Sequence, residues 1–192
     1  MVLKQPSYRR HPDDNIFVID NVITDELCDK IVEQIKLGKK DKNDWNDLHN
    51  NVICEALNVH DIQDIQIRDE VDSIIFKAIN SFAKLLSLYD ISCTNDTGFL
   101  LRKITGPTRL HIDGVSANTR NPTKEYRVMS IVIALNEDYD GGEFVFPQQK
   151  RKIKLKKGQL IGFPANWTHP HGTNSLKNGT VRYTVTTWLT KQ

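Results

Sequence analysis

The residues best placed to do chemistry are His111 and Asp113, in the run Leu110-His111-Ile112-Asp113-Gly114. On an extended strand, residues two apart share a face, so this spacing predicts an imidazole and a carboxylate aimed at one point. Two histidines and one carboxylate form the facial arrangement that holds non-haem Fe(II) and leaves positions open for other ligands. The third ligand has to come from elsewhere in the chain. Two histidines, His169 and His171, follow an aromatic run in the segment 163–172 (FPANWTHPHG).

Arg182 opens the last strand-like run, 181–189 (VRYTVTTWL), in which alternation sets Arg182, Thr184, Thr186 and Trp188 on one face. If that face is buried, a guanidinium is buried with it, which is unfavourable unless an anion pairs with it. Arginine meets a carboxylate in bidentate geometry, so a dicarboxylate cosubstrate would satisfy it. The other reading sets Arg182 outside the sheet, beside a surface acid.

The elements that must position these groups are legible in outline. Residues 1–14 read as a loose arm, and 15–22 (NIFVIDNV) as a short strand. Thr24 is placed to cap a helix whose first turn carries Asp25 and Glu26 and which ends near Gly38. Residues 39–51 form a polar loop holding Trp45 and His49, and 52–58 read as a short helix. Apolar residues from Val71 to Leu86 recur at helical spacing, predicting a helix over 69–89. Strands follow at 98–104, 110–113, 127–135, 143–147, 152–156, 160–163 and 181–189, with a polar loop at 114–125 and a tight hairpin at 138–142 (DYDGG). Helices followed by many short strands predict an α+β fold, a jelly-roll barrel braced by N-terminal helices.

Composition sets bounds on function. The chain has 192 residues, 39% hydrophobic and 26% charged, with net charge +2, which fits one domain over 1–192 and implies no dominant basic field. The run 150–157 is basic, but Lys152, Lys154 and Lys156 alternate with Ile153 and Leu155 as on a half-exposed strand. It lacks the interleaved aromatics of a nucleic-acid surface. We therefore expect no nucleic-acid partner, and no membrane partner in the absence of an apolar N-terminal run. Cys28, Cys54 and Cys93 match no metal-ligand spacing and read as reduced thiols, which suggests a cytoplasmic protein.

From His111 to Leu189 the chain resembles the 2-oxoglutarate and Fe(II)-dependent dioxygenases, in particular the prolyl 4-hydroxylase-like branch. The resemblance rests on His111-Ile-Asp113, Ala134-Leu135-Asn136, Gly141-Gly142-Glu143, Phe163-Pro164, Pro170-His171-Gly172 and Arg182-Tyr183, in that order. The run 17–28 (FVIDNVITDELC) also resembles the opening of this branch. The resemblance implies a double-stranded β-helix (cupin-like) fold, with 15–90 as strand and supporting helices and 98–190 as the catalytic jelly roll. It implies His111, Asp113 and His171 as iron ligands, with His169 as second choice. Arg182 would bind the distal carboxylate of 2-oxoglutarate, with Thr186 and Trp188 lining the cosubstrate pocket. Many members carry a tyrosine where this chain has Ala134, and another near Lys103, so Lys103 is a candidate cosubstrate contact. The implied cofactors are Fe(II), 2-oxoglutarate, O2 and ascorbate.

The activity so implied is hydroxylation of a C–H bond, with 2-oxoglutarate converted to succinate and CO2. The default substrate is a prolyl residue of a peptide or protein, with a small molecule as the other possibility. The loops 39–51 and 114–125 are the expected lids. Two competing readings are a non-catalytic metal- or carboxylate-binding jelly roll and a nucleic-acid demethylase of the same iron chemistry. Oligomeric state is not specified by the sequence.

Overall fold

The structure is a computed structural model that describes residues 8–10, 14–38, 41–42, 53–88, 91, 93, 95–114 and 126–191. The expected lids, including Trp45 and His49, lie outside the described residues apart from Asp41, Lys42 and Gly114. In chain order the elements are β1 (Tyr8–Arg10), β2 (Phe17–Ile19), α1 (Asp25–Leu37), β3 (Asp41–Lys42), β4 (Cys54–Asn58), α2 (Ile65–Ser87), β5 (Asn95–Asp96), β6 (Leu100–Ile104) and β7 (Tyr126–Ala134). There follow β8 (Asp140–Gly141), β9 (Phe144–Phe146), β10 (Arg151–Ile153), β11 (Leu160–Pro164), β12 (Gly172–Thr173), β13 (Leu176–Lys177) and β14 (Arg182–Lys191). The large sheet runs β1-β2-β11-β7-β14-β6-β4-β3, with β5 also on β14, and the small sheet runs β10-β9-β12. This is the antiparallel jelly roll with N-terminal helices expected from the sequence. No helix among the described residues is long and apolar enough to cross a membrane.

Alternation along the central strands builds two cores. On β7, Met129, Ile131 and Ile133 face the helices, while Val132 and Ala134 face the small sheet. The helix side is closed by Leu27, Ile31 and Ile35 of α1 and by Val71, Ile75, Ile79, Phe82 and Leu86 of α2. The inter-sheet side is closed by Phe144, Phe146, Ile153, Ile161 and Phe163. Thr24 caps α1 by accepting from the Leu27 N–H, and Asp64 caps α2 by accepting from the Gln66 and Ile67 N–H groups.

Three local expectations are corrected. The run 52–58 is not a helix: Cys54–Asn58 pairs antiparallel with β6, and burial of Cys54, Ala56 and Leu57 overrides the helix propensity of Glu, Ala and Leu. The N-terminal arm is not wholly loose, because Tyr8–Arg10 pairs with β2. The DYDGG run does not close a hairpin between its flanking strands. β7 and β9 lie in different sheets, and Asp140–Gly141 pairs with β13 instead. Lys152, Lys154 and Lys156 are exposed as expected, and the Lys154 ammonium also rests on the carbonyl of Tyr139 and over that ring.

Gly162 on β11 lies under the Phe82 ring, where a Cβ would come within 2.3 Å of a ring carbon. We predict that Gly162→Ala forces α2 off the sheet and destabilises the fold by roughly 1–3 kcal/mol. Urea unfolding should show a lower midpoint with an unchanged slope, and an unshifted midpoint would contradict this contact.

Candidate metal centre

The expected strand over 110–113 is reduced to a single bridge. The His111 N–H donates to the His171 carbonyl (2.9 Å) and the His171 N–H to the His111 carbonyl (2.8 Å). This reciprocal pair is one hydrogen-bonded rung of an antiparallel ladder, and it places the two side chains together on one face. Their ring centroids are 4.5 Å apart. Bonds from the Thr173 N–H to the Thr108 carbonyl and from the Gly114 N–H to the Ala165 carbonyl extend the lacing on either side.

Each imidazole is oriented by a backbone carbonyl. Nδ1 of His111 lies 2.9 Å from the Arg109 oxygen, and Nδ1 of His171 lies 3.1 Å from the His169 oxygen. A carbonyl only accepts, so both Nδ1 atoms carry the proton and both Nε2 lone pairs point inward, as a metal requires. Nε2 of His111 is 3.1 Å from Asp113 Oδ1, and Nε2 of His171 is 3.5 Å from Oδ2. One ligand atom from each residue lies within 4.8 Å of the others. Ser130 of β7 donates from Oγ to Asp113 Oδ2 (2.6 Å), which fixes the carboxylate plane. Two neutral nitrogens and one carboxylate with open approach are the donor set of a non-haem Fe(II) site.

The electrostatics agree with this donor set. Burial alone would raise the Asp113 pKa, but hydrogen bonding from His111 and the charge of His171, each in its protonated form, together with the Ser130 hydroxyl outweigh it and hold the carboxyl well below its usual range. Burial disfavours the charged form of His111 too, yet Asp113 beside it moves its pKa up. His171 is packed against Phe146 and Phe163, and there burial wins and moves the pKa down.

The triad sits at one end of a cleft of about 570 Å³, open mouth included, between the two sheets. The inner face of β14 lines it with Arg182, Thr184, Thr186 and Trp188, as alternation predicts. Arg182 is 3% exposed, which rules out the outside-of-sheet alternative. One guanidinium nitrogen donates to the Gly142 carbonyl (2.5 Å), but Nε has no protein partner, and no carboxylate among the described residues pairs with it. Burial pushes its pKa down, and nearby Arg102 adds to that. The Gly142 carbonyl reaches it because Gly141 and Gly142 take φ of 73° and 68°, a backbone region that disfavours side chains. Beside Arg182 on the same face, the Thr184 hydroxyl is also buried without a protein partner. A carboxylate placed there would satisfy both groups.

Two candidates are placed elsewhere. Lys103 lies on the opposite face of β6 and pairs with Glu55 at 3.2 Å, so it does not reach the pocket, whereas its neighbour Arg102 does. His169 is buried with Nε2 2.6 Å from the Asp14 carbonyl and Nδ1 2.8 Å from Thr168 Oγ1. Both of its nitrogens are engaged away from Asp113, leaving His171 in the triad. Ser130 and Arg102 were missed by sequence reasoning, which put Thr184 on the right face without giving it a role. The strand period marks their faces, but only the register shows what each one meets.

Two outcomes follow. Ser130→Ala frees the Asp113 carboxylate to rotate, and we predict roughly 10–100-fold weaker divalent-metal binding, read by Co(II) titration. Ligation needs neutral imidazoles, and His111 keeps its proton to a higher pH than an ordinary histidine. Metal affinity should therefore be fully present above the histidine range and fall as pH drops from about 8 to about 5. A flat affinity across that window contradicts ligation through His111.

Comparison with known proteins agrees with this geometry. Residues 101–190 match the family model described as the 2OG-Fe(II) oxygenase superfamily. Prolyl 3-hydroxylase 2 of Mus musculus is 35% identical over 74 residues, which cover 36% of this chain and 10% of the relative. The chain thus spans about a tenth of the length of the curated relatives it matches. The viral collagen prolyl hydroxylase of Paramecium Bursaria Chlorella virus-1, solved as a 2OG complex, superposes with TM-score 0.71 at 22% identity, covering 94% of this chain and 97% of that one. A Trichoplax adhaerens prolyl hydroxylase, in complex with a hypoxia inducible factor oxygen degradation domain peptide fragment, gives TM-score 0.67 at 16% identity, covering 92% and 84%. The segment from residue 101 to 190, which carries the whole triad and Arg182, matches the model of the 2OG-Fe(II) oxygenase superfamily, and the chain shares the fold of the solved prolyl hydroxylases.

Proposed function

We propose that this chain is a 2-oxoglutarate- and Fe(II)-dependent oxygenase that hydroxylates a prolyl residue of a peptide or protein. The observation that carries this is one cleft with a metal-competent triad at one end and, at the other, a buried guanidinium with an unsatisfied donor. When bound, Fe(II), 2-oxoglutarate and O2 supply the C–H hydroxylation, with release of succinate and CO2.

The chain's own residues would place and shield these groups. His111, Asp113 and His171 would hold the metal, with Nδ1 protons and the Ser130 hydroxyl fixing their orientation. Arg182 and Thr184 would take the distal carboxylate of 2-oxoglutarate. Val132, Phe144 and Phe163 give the cleft an apolar wall that keeps water from the reacting centre. No acid–base pair is required of the protein. The prolyl assignment is supported by the names of the relatives and of the structures sharing the fold. They do not favour a binding module or a demethylase. Cys28 and Cys93 are free thiols and suit the reducing, cytoplasmic setting that we propose from the sequence.

The test is succinate formation from 2-oxoglutarate with Fe(II), ascorbate and oxygen, with and without a proline-rich peptide pool. Wild type should form succinate, and His111→Ala and Arg182→Ala should each lose it, the first with loss of metal binding and the second with loss of 2-oxoglutarate affinity. Wild-type protein that binds both yet forms no succinate with any peptide would falsify the catalytic reading.

A further inference from the structure

The two histidines of the triad are oriented from different surroundings. His111 takes its carbonyl from Arg109, an exposed residue, whereas His171 takes its from His169, which is 4% exposed. The His169 ring turns away from the triad and meets the N-terminal segment, with Nε2 2.6 Å from the Asp14 carbonyl. A carbonyl only accepts, so this Nε2 carries a proton. Asp14 is itself buried, and its carboxylate takes the Ile16 N–H on Oδ1 (3.0 Å) and the Arg151 guanidinium on Oδ2 (2.6 Å). Antiparallel pairing of β2 with β11 is what brings the residues just before β2 to the exit of β11, on the way to His169. A second tie comes from beside Arg151, where Gln149 donates to the Thr168 carbonyl at 2.8 Å.

A polar chain therefore runs from Arg151 on β10, through Asp14 ahead of β2, to His169 and on to the ligand His171. A buried ion pair is weak evidence of added stability, since well-packed apolar side chains of similar volume often serve a fold as well. What such a chain supplies is position, because each member meets a defined partner at a defined distance. At a ligating histidine, the acceptor on the second nitrogen sets ring orientation, and displacing that acceptor weakens the metal.

We propose that His169 and Asp14 are positioning residues for the metal. They act on His171 through the His169 carbonyl, and Arg151 acts through the Asp14 carboxylate. The proposal rests on the metal-centre reading above. Linkage adds a reciprocal consequence. The factor by which this contact raises metal affinity is the factor by which bound metal stabilises the N-terminal segment in place.

The test uses the full chain with Co(II), comparing wild type with His169→Leu, His169→Gln, Arg151→Met and the double variant of His169→Leu with Arg151→Met. We expect His169→Leu to bind Co(II) about tenfold more weakly. His169→Gln should recover most of that, because its amide can donate to the same Asp14 carbonyl. Arg151→Met should show a smaller loss, and the double variant should bind no more weakly than His169→Leu alone, since both changes act through Asp14. Saturating Co(II) should slow hydrogen exchange of the Ile16 N–H in wild type and not in His169→Leu. Wild-type affinity in both single variants overturns the proposal, as does Ile16 exchange in wild type that ignores Co(II). A loss in His169→Leu that His169→Gln does not recover makes the role one of packing and overturns it too. The metal-free thermal midpoint reports whether each variant folds, and if His169→Leu does not, Arg151→Met and the wild-type exchange decide. Wild type that binds no Co(II) overturns the metal-centre reading itself, a failure visible before any variant is measured.

Discussion

The constraint on which the site depends is the pair of backbone hydrogen bonds between His111 and His171. The two residues are sixty positions apart in sequence, and one rung brings their imidazoles to the same face. Everything else at the triad refines that placement. Carbonyls at Arg109 and His169 set the ring tautomers, and Ser130 sets the carboxylate. Because those carbonyls belong to the bridged segments themselves, ring orientation follows from backbone path, and backbone path is held by the sheets.

A second constraint is the burial of positive charge. A folded protein seldom buries a guanidinium without an anion, because the desolvation of the ion exceeds what neutral hydrogen bonds return. Arg182 has a single protein acceptor and an aromatic neighbour, Phe144, at 5.2 Å. The large sheet tolerates this because β14 is its central, most extensively paired strand, with β7 and β6 on either side. Pairing on both edges fixes the strand that carries the charge.

The N-terminal segment is part of this organisation. Asp14 is buried, takes the Arg151 guanidinium at 2.6 Å and offers its carbonyl to His169. His169 in turn presents its own carbonyl to His171 Nδ1. A histidine that looks like a ligand in sequence thus anchors the backbone from which the neighbouring histidine is oriented. The same buried ring and the ion pair tie the start of the chain, the small sheet and the triad together.

What the sequence determined by itself were periods and residue types. The strand period put His111 with Asp113, and Arg182 with Thr184, Thr186 and Trp188, while the helical period found α2, because each pattern reflects only local backbone geometry. The order of motifs from His111 to Arg182 made the oxygenase reading legible. What only the tertiary structure decided were pairings between distant segments. Cys54–Asn58 is a strand because β6 offers it an edge, which no local propensity records. Lys103 and Arg102 are adjacent cations, and only the burial of one face of β6 sends the first to Glu55 and the second into the cleft. Likewise His169 and His171 share a strand period, and the choice between them rests on which ring meets Asp113 and which meets Asp14. Period fixes a side chain's face, but its partner is fixed by register, and register is a property of the assembled sheet.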